Sequence, residues 1–147
     1  MEFTMKSIGI IHSPFNDRKQ TPIQPTRSQA TGWVEVFPQF LDGLQGLEEF
    51  SHIILLYVFH KSEGYTLIVK PFLDNQMHGL FTTRYPRRPN PIGLSTVQLL
   101  SRSDNILHIQ GVDVLDGTPL LDIKPFFPDF DARSGVKTGW YAQRSKE

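Results

Sequence analysis

Glycine and proline interrupt this chain at short intervals, and that punctuation limits its fold more than any other feature. There are 11 of each, spread from the first segment to the last. Between them the apolar residues fall into pieces too short for long helices. Ile8 to Ile11 is the first piece, closed by His12, Ser13 and Pro14. Trp33, Glu35 and Phe37 alternate with Val34 and Val36, as the two faces of a strand do. Ile53 to Phe59 is continuously apolar, and so short a run suits a strand buried on both faces better than a helix. Thr66 to Val69, Leu80 to Thr83, Ser95 to Leu100, Ile106 to Val114 and Leu120 to Ile123 complete the set. Asp116-Gly117, between two β-rich runs, suits a type I′ hairpin turn.

Other segments are subordinate to these pieces. Asn16 to Gln29 is polar, carries Pro22 and Pro25, and reads as a loop. Leu44, Leu47 and Phe50 recur at three-residue spacing and predict one short helix within Leu41 to Phe50. The tail from Phe126 to Tyr141 keeps enough aromatic residues to wrap the body of the protein. Met1 to Thr4 reads as a leader, because Met5 is an equally good start. The expectation is therefore a mainly-β protein: a single β-barrel over residues 5–147, with about seven or eight strands and little helix.

Several classes are disfavoured at once. A parallel α/β fold needs a helix between strands, and the chain has neither such helices nor G-x-G-x-x-G; Gly43 and Gly46 have the wrong spacing. The formal net charge is zero, which argues against a basic coat protein but not against a local basic patch. There is no cysteine, so disulfides, thiolate zinc sites and cysteine nucleophiles are excluded. The five histidines are scattered without a metal-binding pattern, so no metal is expected. The apolar run Ile53 to Phe59 is far short of the ~20 residues that span a bilayer, so no membrane is expected either. Absence of cysteine is compatible with the cytoplasm, the compartment expected here.

Three segments carry candidate chemistry. Gly79 to Ser95 reads GLFTTRYPRRPNPIGLS: Arg84, Arg87 and Arg88 sit among Pro86, Pro89 and Pro91. A proline-stiffened loop with forked cations can hold a carboxylate or phosphate in one orientation; the plain alternative is a solvated basic turn. Asp113 to Pro125 reads DVLDGTPLLDIKP, where Asp116 to Pro119 packs a carboxylate, a free backbone and a hydroxyl into one turn. Such a turn can grip a nucleotide-like ligand, or it is simply a hairpin. In Thr21 to Pro25, Gln24 offers both a donor and an acceptor, which suits adenine; alone, the segment is only a loop. His60 and Lys61 follow a buried strand directly, a place from which side chains reach ligands.

RPNPIGLS followed by DGTPLLDIKP strongly resembles the tRNA methyltransferase O family, a group of S-adenosylmethionine-binding β-barrels. IGIIHSPF, LEEFSHIILLYVFH and FFPDFDARSGVKTGW fit the same pattern, so the resemblance covers nearly the whole chain after Met5. It implies a homodimer of non-Rossmann barrels with the cofactor held by loops. It also implies methylation of the N6 nitrogen of threonylcarbamoyl-modified adenosine at tRNA position 37. Carried onto this chain, the implied cofactor contacts are Ile23, Gln24, Pro25, His60, Lys61, Arg84, Leu94 and Asp116, Gly117, Thr118 and Pro119. Tyr85 stands where the family loop usually has Ser, a difference on the substrate side. Bacterial members often carry a C-terminal extension that helps to hold RNA; this chain ends soon after the barrel, as the compact, archaeal-looking members do.

Methyl transfer from a sulfonium needs donor and acceptor aligned and charge drained away. An acceptor for the hydrogens of the attacking nitrogen would make it more nucleophilic. Asn90, with carbonyls near Pro89 and Pro91, is the catalytic candidate; capping the loop is its alternative. Arg87 and Arg88 are candidate RNA phosphate contacts, with bracing of the loop or dimer as the alternative. Two rival functions keep the barrel: methylation of a small molecule or another RNA, and a non-enzymatic cofactor-sensing or RNA-binding protein.

Overall fold

The computed structural model describes residues 1–17, 20–21 and 28–143. Six antiparallel strands close a barrel, and six of the short apolar pieces of the sequence supply its staves. They are β1 (Gly9–His12), β2 (Thr31–Val36), β3 (His52–Val58), β6 (Ile92–Ser103), β7 (Ile106–Gln110) and β8 (Thr118–Pro125). Their order around the barrel is β1-β2-β7-β6-β3-β8. Two further strands, β4 (Ile68–Val69) and β5 (His78–Gly79), form a separate ribbon. Closure leaves the barrel no unpaired edge.

Alternation along each strand fills the interior. Ile11, Val34, Ile53, Leu55, Val97, Leu107, Ile109 and Leu120 point inward and are essentially inaccessible to solvent. Leu44, Val112 and Val114 join the same core from outside the strands. Gly93 marks the tightest place. A Cβ there would fall on the Tyr57 ring and within 2.7 Å of the Phe59 ring, so the absence of a side chain is what admits both aromatics. Gly93→Ala is expected to overpack this point at a cost of about 1–3 kcal/mol, read as a lower midpoint in denaturant unfolding.

The barrel is the one expected, with local differences that have physical causes. Strand β3 is not buried on both faces. Ile53, Leu55 and Tyr57 face the core, while Ile54, Leu56 and Val58 remain partly exposed on the outside, as in other antiparallel sheets with one outward face. The segment Leu41 to Phe50 forms two 3₁₀ turns, Pro38–Leu44 and Leu47–Glu49, with Gly46 at φ 86° between them. That left-handed residue breaks what would have been one α-helix. Leu80–Thr82 is a 3₁₀ turn, not a strand. Asp116-Gly117 is not a hairpin turn. Strands β7 and β8 do not pair, and only Gly117 of the two has positive φ, whereas type I′ requires it at both central residues. The hairpin lies between β6 and β7, where Asp104 takes φ 57°. The only α-helix among the described residues is the single turn α1 (Pro128–Asp131).

Strands β3 and β6 lie side by side, yet the chain between them makes a long excursion that carries β4, β5 and the proline-arginine loop. Connections of this length are uncommon in compact domains unless they serve function. The tail returns to this excursion. Trp140 stacks on His78 with ring centres 5.2 Å apart, and its Nε1 donates to the Thr82 carbonyl at 3.0 Å. Among the described residues, no helix is long and apolar enough to cross a membrane.

Candidate active site

A cleft of about 150 Å³ opens at one end of the barrel. Three segments build it: Phe59, His60, Lys61 and Ser62 leaving β3; Pro86 from the proline-arginine loop; and Asp113, Val114, Leu115 and Thr118 before and at the start of β8. Thr21 lines it as well. The two loops singled out in the sequence therefore converge, although strands β6 and β7 lie between them in the chain.

Beneath the cleft runs a short polar chain inside an otherwise apolar barrel. The Tyr57 hydroxyl lies 2.7 Å from Ser95 Oγ, and Ser95 Oγ donates to Asp113 Oδ1 at 2.7 Å. Ser95 has one hydrogen, which it gives to Asp113, so Tyr57 must donate to Ser95. Burial raises the Asp113 carboxyl above the usual aspartate range; the Ser95 hydrogen bond and the Arg84 charge pull the other way. Burial also drives the Tyr57 phenol upward, with the Asp113 charge adding to it. Thus Tyr57 stays a donor, and Asp113 is a poorly solvated acceptor presented to the cleft. His60 is shifted down by burial and by neighbouring Lys61, which favours its neutral imidazole.

The acidic turn is fastened from the opposite side. Ser13 N donates to Asp116 Oδ1 at 3.0 Å, and Ser13 Oγ donates to the Val114 carbonyl at 2.6 Å. His12 Nδ1 lies 3.4 Å from Asp116 Oδ1, and its Nε2 lies 3.2 Å from Glu35 Oε1. The imidazole stacks on Trp33 at 4.8 Å. Thr118 Oγ1 closes the turn onto the Leu115 carbonyl at 2.6 Å.

The residues expected at the site are distributed as follows. His60, Lys61 and Thr118 line the cleft. Arg84 acts electrostatically on both Tyr57 and Asp113, so it belongs to the same neighbourhood. Asp116 and Gly117 form the fastened turn, and Pro119 pairs with Ile10 of β1. Leu94 lies on the outer face of β6, opposite Leu56, and is 45% exposed; its side chain is not brought to the cleft. Ile23, Gln24 and Pro25 lie outside the described residues. Asn90 is not among the residues that line this cleft; its carbonyl accepts from Ile92 N, and the Pro91 carbonyl accepts from Phe59 N. Arg88 braces the loop: its Nη1 donates to the Thr83 and Tyr85 carbonyls, and the guanidinium lies over Phe81. Arg87 makes no hydrogen bond or ion pair with the described residues and lines a second groove.

Asp113, Ser95 and Tyr57 were not singled out from sequence. Tyr57 reads as one more member of an apolar run. Asp113, flanked by Val112 and Val114, reads as the outward residue of a strand. The available signal was Gly111 just before them, which takes φ 98° and ends β7 before that alternation begins. Among the described residues, no group of three or more His, Asp or Glu could hold a metal ion.

Fold and cleft define the class: a closed antiparallel barrel with a cleft built by loops at its rim, and no glycine-rich turn before a helix among the described residues. The family model of the tRNA-methyltransferase O N-terminal domain matches residues 10–132, and the chain belongs to that family. A relative in Pyrococcus abyssi, named as a probable S-adenosyl-L-methionine-binding protein, is 55% identical over 136 residues, covering 92% of this chain and 74% of the relative. The mouse protein named tRNA (adenine(37)-N6)-methyltransferase is 40% identical over 133 residues, covering 85% of this chain but 31% of the mouse protein. The crystal structure of TrmO from Pseudomonas aeruginosa superposes with a TM-score of 0.79 at 36% identity, covering 95% of this chain and 63% of that one. This chain thus spans a little under two thirds of the solved bacterial chain and about a third of the mouse protein.

Proposed function

We propose that this chain transfers a methyl group from S-adenosyl-L-methionine to N6 of the adenosine at tRNA position 37, in its threonylcarbamoyl-modified form. The observation that carries the reading is the cleft where His60, Lys61, Thr118 and the Asp113 carboxylate meet, in a family with relatives named for this cofactor and this reaction. The donor set fits the cofactor. Phe59, Val114, Leu115 and Pro86 offer apolar walls to a purine or thioether. Lys61 suits the ligand's carboxylate.

When bound, the cofactor supplies an activated methyl group. The protein's own residues do the rest. The turn at Asp116 to Pro119 and the strand end at His60-Lys61 fix the ligand's position. In this reading Asp113, which lines the cleft, takes the part that the sequence suggested for Asn90, facing the attacking nitrogen. It accepts the proton that this nitrogen must shed as its new bond to carbon forms, and Ser95 and Tyr57 hold it in place for that task.

Purified protein, cofactor and tRNA lacking the modification should yield the methylated nucleoside by mass spectrometry of tRNA digests. A methyl group found only on another nucleoside or on a small metabolite would redirect the reading. Cofactor uptake without transfer to any acceptor would favour a sensor.

A homodimer is part of the proposal. Its support is an apolar strip on the outside of the barrel, Leu56 and Val58 of β3 opposite Leu94 and Ile92 of β6, with Ile92 and Leu94 substantially exposed. Leu94→Glu places a charge in that strip and should convert the dimer to a monomer in light scattering coupled to size exclusion. A monomeric wild type would reject this part of the reading. The proposed working compartment is the cytoplasm, where such a substrate is met.

A further inference from the structure

A second concavity of about 340 Å³ lies beside the cleft. Tyr65, Thr66, Ile68, Val69, Lys70 and Met77 line one side, and Tyr85 and Arg87 face them from the proline-arginine loop. Glu63 completes the lining. Only Tyr85 lies within the basic loop, but the fold brings Tyr65 to the same groove. Tyr65 is 53% exposed, Tyr85 41% and Met77 60%, a large apolar area to leave in water without a partner. Lys70 and Arg87 make no hydrogen bond or ion pair with the described residues. Against the single Glu63, they leave the groove with an excess of positive charge.

The two concavities share a wall one residue thick. Pro86 lines the cleft while its neighbours Tyr85 and Arg87 line the groove; likewise Ser62 lines the cleft and Glu63 the groove. The groove therefore adjoins the cleft at two points of the chain, so an RNA strand that presents its target nucleoside at the mouth of the cleft has the groove beside it. The wall is already rigid: Arg88 ties the Thr83 and Tyr85 carbonyls together, Tyr85 N donates to Thr83 Oγ1 at 3.2 Å, and Thr83 N donates to the Leu80 carbonyl at 3.0 Å.

We propose that this groove is a subsite for an unpaired RNA base next to the one being modified, stacked against Tyr65 and Tyr85, with Lys70 and Arg87 on its phosphates. Aromatic side chains beside a basic track are how single-stranded nucleic acid is held without sequence readout. The inference rests on the tRNA reading above and adds to it the place where the flanking nucleotide sits.

The test uses the full chain, a fluorescent anticodon stem-loop RNA and cofactor titration by calorimetry. Tyr65→Ala and Tyr85→Ala should each weaken RNA binding about tenfold or more with cofactor affinity unchanged. Tyr65→Phe should retain binding. Lys70→Ala and Arg87→Ala should each lower the slope of log affinity against log salt by about one. A thionucleotide placed beside the target adenosine should photo-crosslink to a peptide containing Tyr65 or Tyr85, a readout that needs no substitution to fold. RNA affinity within twofold of wild type in both tyrosine-to-alanine variants would overturn the subsite. So would loss of RNA binding only in step with a change of oligomeric state, which would make the groove's occupant a second copy of the chain. If the wild type neither binds nor methylates the RNA, the underlying functional reading fails; if it does both and the tyrosine variants match it, only the subsite fails.

Discussion

Replacing Asp113 by Asn is expected to lower methyl transfer about 100-fold or more, to leave cofactor affinity within about twofold, and to make the protein more stable at neutral pH. The first figure follows from the usual contribution of a positioned acid or base. An amide oxygen can still accept the Ser95 hydrogen, so the Tyr57–Ser95 chain keeps its partner, but an amide cannot take a proton from the attacking nitrogen. The stability effect has the opposite sign for a definite reason. Burial raises the Asp113 carboxyl in the folded protein, so its favourable contribution is complete only below the unfolded pKa and is lost as the pH rises through the folded value. At neutral pH the ionised group is a net cost, which Asn removes. The gain in Tm should therefore be largest near neutrality and shrink as the pH falls into the carboxylate range. The rate should follow the reverse course in the wild type, falling as Asp113 takes up a proton. That acid limb should vanish in Asp113→Asn and persist in His60→Asn, although His60 lines the same cleft. Loss of the limb in the His60 variant alone would move the proton acceptor to the imidazole. A lower Tm with unchanged turnover in Asp113→Asn would reduce the buried chain to a structural network.

How far the sequence could carry these conclusions depended on the range of the interaction. Strand positions were legible from local sequence, which marked β2 by the alternation of Trp33 to Val36 and β6 by the run Ser95 to Leu100, although β6 extends from Ile92 to Ser103. The closing order of the barrel was not, because β3 pairs with β8 across a register shift near Leu56 and Tyr57. The two chemical loops were legible as compositions, RYPRRPNP and DGTP, and the resemblance to a family placed ligand contacts on them. What the composition could not reveal is division of labour within a loop. Arg87 and Arg88 are alike in the chain, yet Arg88 is spent on carbonyls of its own loop while Arg87 is turned into the groove. Tyr57 and Asp113 became visible only together, since a tyrosine in an apolar strand and an aspartate beside a glycine are each ordinary until Ser95 joins them.

Gly117→Val should weaken cofactor binding about tenfold and lower the unfolding midpoint, without any ligand contact being removed by the added methyl groups. Gly117 sits at φ 86°, and a Cβ built there meets nothing within 4 Å. The cost is therefore conformational and not steric: a β-branched residue in the left-handed region is disfavoured by about 1–2 kcal/mol, or about 2–4 °C in Tm per kcal/mol for a chain of this size. Relief of that strain requires the turn to move, and the turn is tied on both sides. Gly117 N donates to the Ile11 carbonyl at 2.9 Å, and Asp116 N to the Phe15 carbonyl at 2.8 Å. Asp116 Oδ1 is held by Ser13 N, with His12 alongside it. Leu115 and Thr118, on either side, are walls of the cleft, so displacement of the turn changes the shape that the cofactor must fit. Asp116→Ala removes the same fastening from the side-chain end and should reproduce the affinity loss with less strain. Gly117→Ala should fall between Gly117→Val and wild type in both Tm and cofactor affinity, because it carries the left-handed penalty without the branch. Calorimetric titration of the three variants with S-adenosyl-L-methionine, paired with thermal unfolding, checks the order. Full cofactor affinity in Gly117→Val at a reduced Tm would show that the turn supports the barrel but does not shape the cleft.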